Sequence, residues 1–350
     1  MLKSFYIIGG QQKYLRPLLA NDADWYAYDK GVLLEVNPEA KTSRLLVEYT
    51  SPPEARAGYD GATLFKSGSI KNDVLYACTQ TEILMYKLPQ AEQIGYISLP
   101  SFNDVHHVRP SLNGNNNLFI ASSGLDVVLE VTSQGEMVRH WSALGEDPWQ
   151  RFSKNMDYRH VNTKPHRSHP NHVFFVDGEL WTTRFCQMDA VSLHDPERRI
   201  EIGIGRPHDG MVAGDYIYFT TVNGNVIVAN KQTLKTEEII DLNTIHNYDG
   251  PLGWCRGLLI DGDKLWVGFS RIRPTYFREN VEWIKRSIKW KILHWLPSSL
   301  IRKNKRRRLG LNKELPTHIT CYDLKNRKCM SEMNLEPHGV SAVFSILSND

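Results

Sequence analysis

The sequence predicts an all-β fold: a six-bladed β-propeller whose N- and C-terminal strands close one blade, with a helical insertion. Three observations predict it. First, a hairpin recurs. Asp177-Gly178, Gly214-Asp215 and Asp261-Gly262 each separate two apolar runs, and the second run carries Trp181, Tyr216–Thr221 or Trp266. Such turns between apolar runs are the short-range hairpin signal. Second, a short apolar run followed by a polar turn occurs six times, with turns at Pro38, Pro89, Ser133, Pro196, Lys231 and Leu324, spaced by 51, 44, 63, 35 and 93 residues. A period near 40–50 residues with four strands is what one propeller blade needs. Third, a polar residue, most often histidine, opens each hairpin copy.

The blades follow in order. Numbering strands A to D outward from the axis, blade one takes strand A from His338–Leu347 and strand B from Ser4–Gly9, so the chain closes its own ring and leaves no open edge. Blade two runs from about Gly58 to Leu99, blade three from Asp104 to Leu144, and blade four from His169 to Gly205. Blade five spans Pro207–Leu242 and blade six Gly253–Leu335. Residues 1–350 are thus expected to form one propeller domain. Insertions at Gln11–Lys30, Gly145–Ser168 and Thr275–Pro316 all fall in B–C or D–A connections. Those connections emerge at one face, the face where each strand A begins. Function tends to sit on loops held by a rigid scaffold.

Aligning the copies places Tyr59, His107, His172, His208, Arg256 and His338 at equivalent positions near the axis. Imidazole nitrogens suit a divalent transition metal (Fe, Zn or Mn) better than Ca or Mg. The expected metal ligands are therefore His107, His172, His208 and His338. Tyr59 and Arg256 would face an anionic group or a developing oxyanion. His106 and His169, with Asp104 and Asn171, lie close by as groups that fix imidazole tautomers or act as acid and base. The longer hairpin after His107 leaves His106 as the alternative inward residue.

The Pro-His-Asp-Gly, Pro-His-Gly-Val and Val-Asp-Gly-Glu-Leu-Trp pieces resemble the repeats of six-bladed propeller enzymes of the virginiamycin B lyase and gluconolactonase type. That resemblance implies an axial histidine with a divalent metal, and His208 and His338 as its counterparts. Gluconolactonase-like proteins use acidic and amide ligands at the axis, from which this chain departs. Four axial histidines also resemble the iron site of carotenoid cleavage oxygenases, which are larger propellers.

The net charge of +3 conceals an asymmetry. Residues 276–313 carry 12 basic and two acidic side chains, +10, while the remaining 30 basic and 37 acidic residues leave −7. Within that segment Val281, Ile284, Ile288, Ile292 and Trp295 recur every three or four residues, and Arg302–Arg308 follows as a basic run. An amphipathic, tryptophan-bearing helix with a polybasic tail predicts contact of residues 281–308 with an anionic membrane surface. No nucleic-acid-binding module accompanies it, so nucleic acid ranks last among partners. Five cysteines without C-x-x-C spacing predict reduced thiols in a cytoplasmic protein, peripheral at the membrane. The N-terminal run reads as a strand, not a secretory signal, and no apolar run reaches the roughly 18 residues of a spanning helix. No G-x-S-x-G, Walker or G-x-G-x-x-G motif is present.

The function expected from these residues is a metal-assisted lyase or hydrolase acting on a small polar, anionic or lipid-linked substrate. The alternatives are a four-histidine, iron-dependent oxygenase and a non-catalytic propeller that binds a protein or lipid.

Overall fold

A computed structural model describes residues 2–13, 28–56, 61–248, 250–271 and 315–349. They form six four-stranded antiparallel sheets. Blade one joins β24 (Ala342–Leu347), β1 (Phe5–Gln12), β2 (Tyr28–Asn37) and β3 (Thr42–Tyr49) in that order. The first and last strands pair from Tyr6↔Leu347 to Gly10↔Ala342, so the terminal strands close the ring as the sequence predicts.

The other blades run outward in chain order. Blade two is β4 (Gly68–Lys71), β5 (Val74–Cys78), β6 (Ile83–Lys87) and β7 (Glu92–Ile97). Blade three is β8 (Val105–Pro110), β9 (Leu118–Ser122), β10 (Val127–Val131) and β11 (Met137–Ser142). Blade four is β12 (Pro170–Val176), β13 (Glu179–Arg184), β14 (Asp189–Ser192) and β15 (Arg199–Glu201). Blade five is β16 (Pro207–Ala213), β17 (Tyr216–Thr221), β18 (Asn225–Asn230) and β19 (Thr236–Asp241). Blade six is β20 (Trp254–Asp261), β21 (Lys264–Ser270), β22 (His318–Asp323) and β23 (Lys328–Asn334). The six apolar runs with polar turns are the third strand of each blade.

Packing follows the pleat, because successive side chains of a strand point to opposite faces. In β1, Phe5 and Ile7 pack with Leu259, Trp266 and Ile319 of blade six. Tyr6 and Ile8 pack with Leu75 and Leu84 of blade two. Each blade is thus apolar on both faces, which a propeller needs and a single sheet in water could not tolerate. Similar clusters join blades two and three, three and four, four and five, and five and six.

Two expectations are corrected. The inner strand of blade two begins at Gly68, not near Tyr59, which lies outside the described residues. A short helix, α1 (Leu242–Ile245), also forms outside the three predicted insertions, where the Asp241 carboxylate accepts from the Asn243 N–H and caps it. Of the insertions, Gly145–Ser168 is described, within the β11–β12 connection at residues 143–169. Residues 14–27 and 272–314, which include the predicted amphipathic segment, lie outside the described residues.

Candidate functional site at the channel mouth

The inner strands are stitched to one another by side chains that carry the repeated polar positions. His107 accepts the Val173 N–H at Nδ1, 3.1 Å away, which leaves Nε2 to donate to the Gly68 carbonyl at 3.1 Å. One imidazole thereby ties blade three to blades two and four. Asn171 donates through Nδ2 to the Pro207 carbonyl (2.8 Å) and to His208 Nδ1 (2.9 Å), tying blade four to blade five. Asp209 accepts from the Thr220 hydroxyl and, at 3.0 Å, from the Gly257 N–H, tying blade five to blade six. Ser270 accepts the Val343 N–H at 2.9 Å, and Ser67 donates to the Phe344 carbonyl at 3.1 Å, which completes the circuit.

This stitching governs what the predicted ring residues offer. The His107 and His172 rings stack with centroids 3.7 Å apart. Burial holds His107 well below the usual imidazole range. Both His107 nitrogens are engaged by backbone. His208 is buried, and burial with the Arg256 charge holds it far below its ordinary value. Because its Nδ1 is an acceptor, its proton sits on Nε2, which has no partner. His338 sits in a 3-10 turn, Glu336–His338, ahead of β24. The structure does not gather these four histidines into a common donor cluster. Among the described residues, the group of metal-ligating side chains whose donor atoms all lie within 4.8 Å of one another is Asp104, His166 and His169.

That cluster sits where the inner strands begin. Asp104 and His169 immediately precede β8 and β12, in the left-handed region at φ 49° and 58°. Asp and His are several-fold enriched there among non-glycine residues, and such local strain tends to be stored at functional sites. The His166 and His169 Nδ1 atoms are 2.7 Å apart. His166 Nδ1 is 3.7 Å from Asp104 Oδ2. The His106 ring meets His169 edge-on at 4.4 Å, and its Nδ1 donates to the Asp104 carbonyl at 2.7 Å. Lys66 pairs with Asp104 Oδ1, and both side chains are buried.

The electrostatics are those of a compact buried site. Burial pushes the Asp104 carboxyl up, but the Lys66 ammonium beside it more than offsets this and holds it well below the carboxylate range. Burial and Lys66 push His106 down, and burial and His166 push His169 down. The imidazoles are neutral and the carboxylate charged, which is the protonation state a cation needs from its ligands. His166 Nε2 is buried without a partner.

The insertion at residues 143–169 holds the cluster from outside. The buried Asp126 carboxylate accepts the Ser168 and His169 N–H groups at 2.8 Å each and the Arg167 N–H at 3.1 Å, and pairs with Arg151 at 2.7 Å. Asn103 Nδ2 donates to the Val161 carbonyl at 2.7 Å. Beyond His169, Phe185 lies 5.1 Å from its ring and 5.3 Å from the His208 ring. Arg256 is buried, stacks on Phe344 at 4.8 Å, and leaves Nε without a partner. Among the described residues, His208 Nε2 and Arg256 Nε are thus buried nitrogens without a partner, and Phe185 lies between the His208 ring and the cluster's His169.

Sequence reasoning singled out His106, His169 and Arg256 and noted Asp104. It missed His166 and Lys66. His166-x-x-His169 spacing was the available signal, while Lys66 carries none.

No protein-family model and no curated protein matches the chain. Among solved structures, a protein of unknown function from Bacteroides caccae is similar with a TM-score of 0.59 at 11% identity, covering 98% of each chain. The nidogen/laminin complex is similar with a TM-score of 0.55 at 10% identity, covering 98% of this chain and 97% of that one. At such identities the likeness shows the six-bladed propeller fold alone.

Proposed function

We propose that the channel mouth is a metal-dependent catalytic centre that hydrolyses, or eliminates across, a bond in a small anionic substrate. The observation that carries the reading is the cluster of Asp104, which is buried, with His166 and His169, which are half-buried. Three protein ligands that leave positions open are the catalytic pattern for zinc, and two imidazoles with one carboxylate suit zinc or iron(II). The ligand set differs from the ring that the repeats predict. His107 has spent its nitrogens on backbone, and His208 presents a proton in place of a lone pair.

A bound divalent ion would supply Lewis acidity at the mouth. The chain's own residues do the rest. Lys66 occupies Asp104 Oδ1 and directs Oδ2 toward His166. Asp126 fixes the loop that carries both histidines. His208 Nε2–H and Arg256 Nε–H are donors for an anionic group or a developing oxyanion, and their burial strengthens them. Phe185 walls the site between the two histidines and keeps water from that side. The likeness of the repeats to lyase-type propellers supports the same reaction class.

A second reading, an iron-dependent oxygenase, is favoured by one feature: two histidines and one carboxylate are also the ligand triad of non-haem iron oxygenases. Reconstitution separates the two. Metal-stripped protein is loaded with zinc, iron(II) or manganese, and bound metal is counted for the native chain and for Asp104→Asn. One equivalent of zinc or manganese lost in the variant supports hydrolysis or elimination. Retention of iron(II) alone supports the oxygenase, and no bound metal overturns both.

A further inference from the structure

A second site lies farther along the axis. The inner strands enclose a cavity of about 180 Å³ to which all six blades contribute. None of Asp104, His166 and His169 lines it. Its walls begin at His107 and His172 and run to the far ends of the inner strands, at Ile70, Val212 and Ser348. Ile70, Phe174, Met211, Leu259 and Leu347 bring apolar side chains to that far wall, although more of the cavity's exposed lining is polar than apolar.

Into this wall the fold sets Arg109, two residues beyond His107 and so on the same face of β8. Among the described residues its guanidinium has no ion-pair or hydrogen-bond partner, and burial alone acts on it, disfavouring its charge. The one carboxylate in the lining, Asp209, is committed elsewhere. Its Oδ2 takes both the Thr220 hydroxyl and the Gly257 N–H, and the cation that acts on it is Arg256. Beside Arg109, the buried His172 Nδ1 also lacks a partner. Guanidinium cannot lose its proton in a protein, so the charge has to be met by an anion or by water. Arg109 is half-buried, so in the absence of an anion water in the cavity meets its charge.

We propose that this cavity binds a small oxyanion, a carboxylate or phosphate group, through the Arg109 guanidinium, with mixed polar and apolar walls around the remainder. The planar guanidinium fork matches either group in two parallel hydrogen bonds. The site is independent of the metal reading at the mouth.

The test is thermal unfolding of the full chain in sodium acetate and, separately, sodium phosphate, with ionic strength held constant by sodium chloride. A ligand that binds only the folded state raises Tm in a saturable way. A saturable rise with acetate alone identifies a carboxylate site, with phosphate alone a phosphate site, and with both an oxyanion site of either kind. Arg109→Met removes an uncompensated charge, so its Tm without anion should equal or exceed that of the native chain. Its apparent affinity for the responding anion should fall about tenfold or more, as for loss of a charge-assisted hydrogen-bond pair. No saturable rise with either anion, or an equal rise in Arg109→Met, overturns the proposal. If that variant does not fold, crystals of the native chain soaked in acetate and in phosphate decide. Anion density against Arg109 in either soak supports the site, and its absence from both refutes it.

Discussion

The Nδ1 atoms of His166 and His169 face each other across 2.7 Å, with Asp104 Oδ2 3.7 Å from the first of them. One proton holds the two imidazoles together, since each nitrogen can otherwise offer only a lone pair. A cation at that point would replace the proton and accept both lone pairs. Replacing either histidine should therefore cost metal binding and leave the fold standing, because the cluster lies on loops outside the strands. His166→Ala and His169→Ala should each lower metal affinity by more than the roughly 10–100-fold typical of groups that only orient ligands. His172→Ala should keep the metal. Equilibrium dialysis against zinc compares them, and equal zinc in all three variants would remove the cluster from the account.

Asp209 should make stability fall with rising pH. Burial pushes its carboxyl up to about 6, while its bonds to Thr220 and Gly257 and the Arg256 charge pull the other way. A folded value above the unfolded one of about 3.9 means full stability below pH ~4, lost as pH rises through ~6. Two pKa units correspond to about 3 kcal/mol. Asn tolerates the left-handed backbone at φ 62°, and its single oxygen can accept both donors. Asp209→Asn should thus match the native chain at pH 4 in urea unfolding and exceed it at pH 8. A native chain equally stable at both values, relative to the variant, would show that the carboxyl is not strained.

His246 should act at the alkaline end. Burial lowers its pKa, but its hydrogen bonds to Cys329 and to Glu332, the latter at 3.0 Å, outweigh this and raise it to about 9. Its folded value lies above the unfolded ~6.5, so the stabilisation is full below pH ~6.5 and is lost as pH passes ~9. His246→Gln should be clearly less stable at pH 6.5, and the gap should narrow by pH 10. A gap that stays constant across this range would mean that the pair contributes packing and not charge.

Ring closure has a mechanical consequence. Removing Ser341–Asp350 deletes β24, whose Ala342, Val343 and Ile346 are almost fully buried. Loss of each large buried aliphatic side chain costs about 2–5 kcal/mol, against a total stability of about 5–15 kcal/mol for a typical domain. The truncated chain should lose its cooperative thermal transition. An unchanged transition by circular dichroism would contradict the closure.

Residues 281–308 lie outside the described residues, and we propose that they bind an anionic, cytoplasmic membrane surface. β21 ends at Ser270 and β22 begins at His318, so the connection leaves by the end of the propeller that carries Asp104 and His169. The chain should co-sediment with anionic vesicles and be partly released by salt, as the Debye length falls from about 10 Å at 0.1 M to about 3 Å at 1 M. Removal of Glu279–Lys313 should abolish co-sedimentation and leave a folded protein. An intact chain that remains in the supernatant at low salt would end the membrane reading.

The fold was largely legible because its signals are local. The Asp-Gly turns and the six apolar runs specify hairpins without reference to the rest of the chain, and the pairing of Gly9 with Val343 follows from counting strands. The inner edge of blade two is hidden in the sequence because Gly68-Ser69-Ile70-Lys71 is short and carries little apolar pattern, whereas Tyr59-Asp60-Gly61 imitates the turn signal. The site was legible only in part. Which imidazole faces the channel is decided by backbone irregularities such as the register shift between Val105 and His107, which sends His106 to the mouth and His107 into the wall. Partnership also hides from sequence. Lys66 and Asp104 are 38 residues apart on neighbouring blades, and nothing local to either announces the pair.

Anomalous diffraction at the zinc edge, from crystals of the zinc-loaded chain, locates the metal site. One peak is expected, bonded to Asp104, His166 and His169 at about 2.0–2.2 Å from a carboxylate oxygen and two imidazole nitrogens. A peak among His107, His172 and His208, or no ordered peak at stoichiometric zinc, would contradict it.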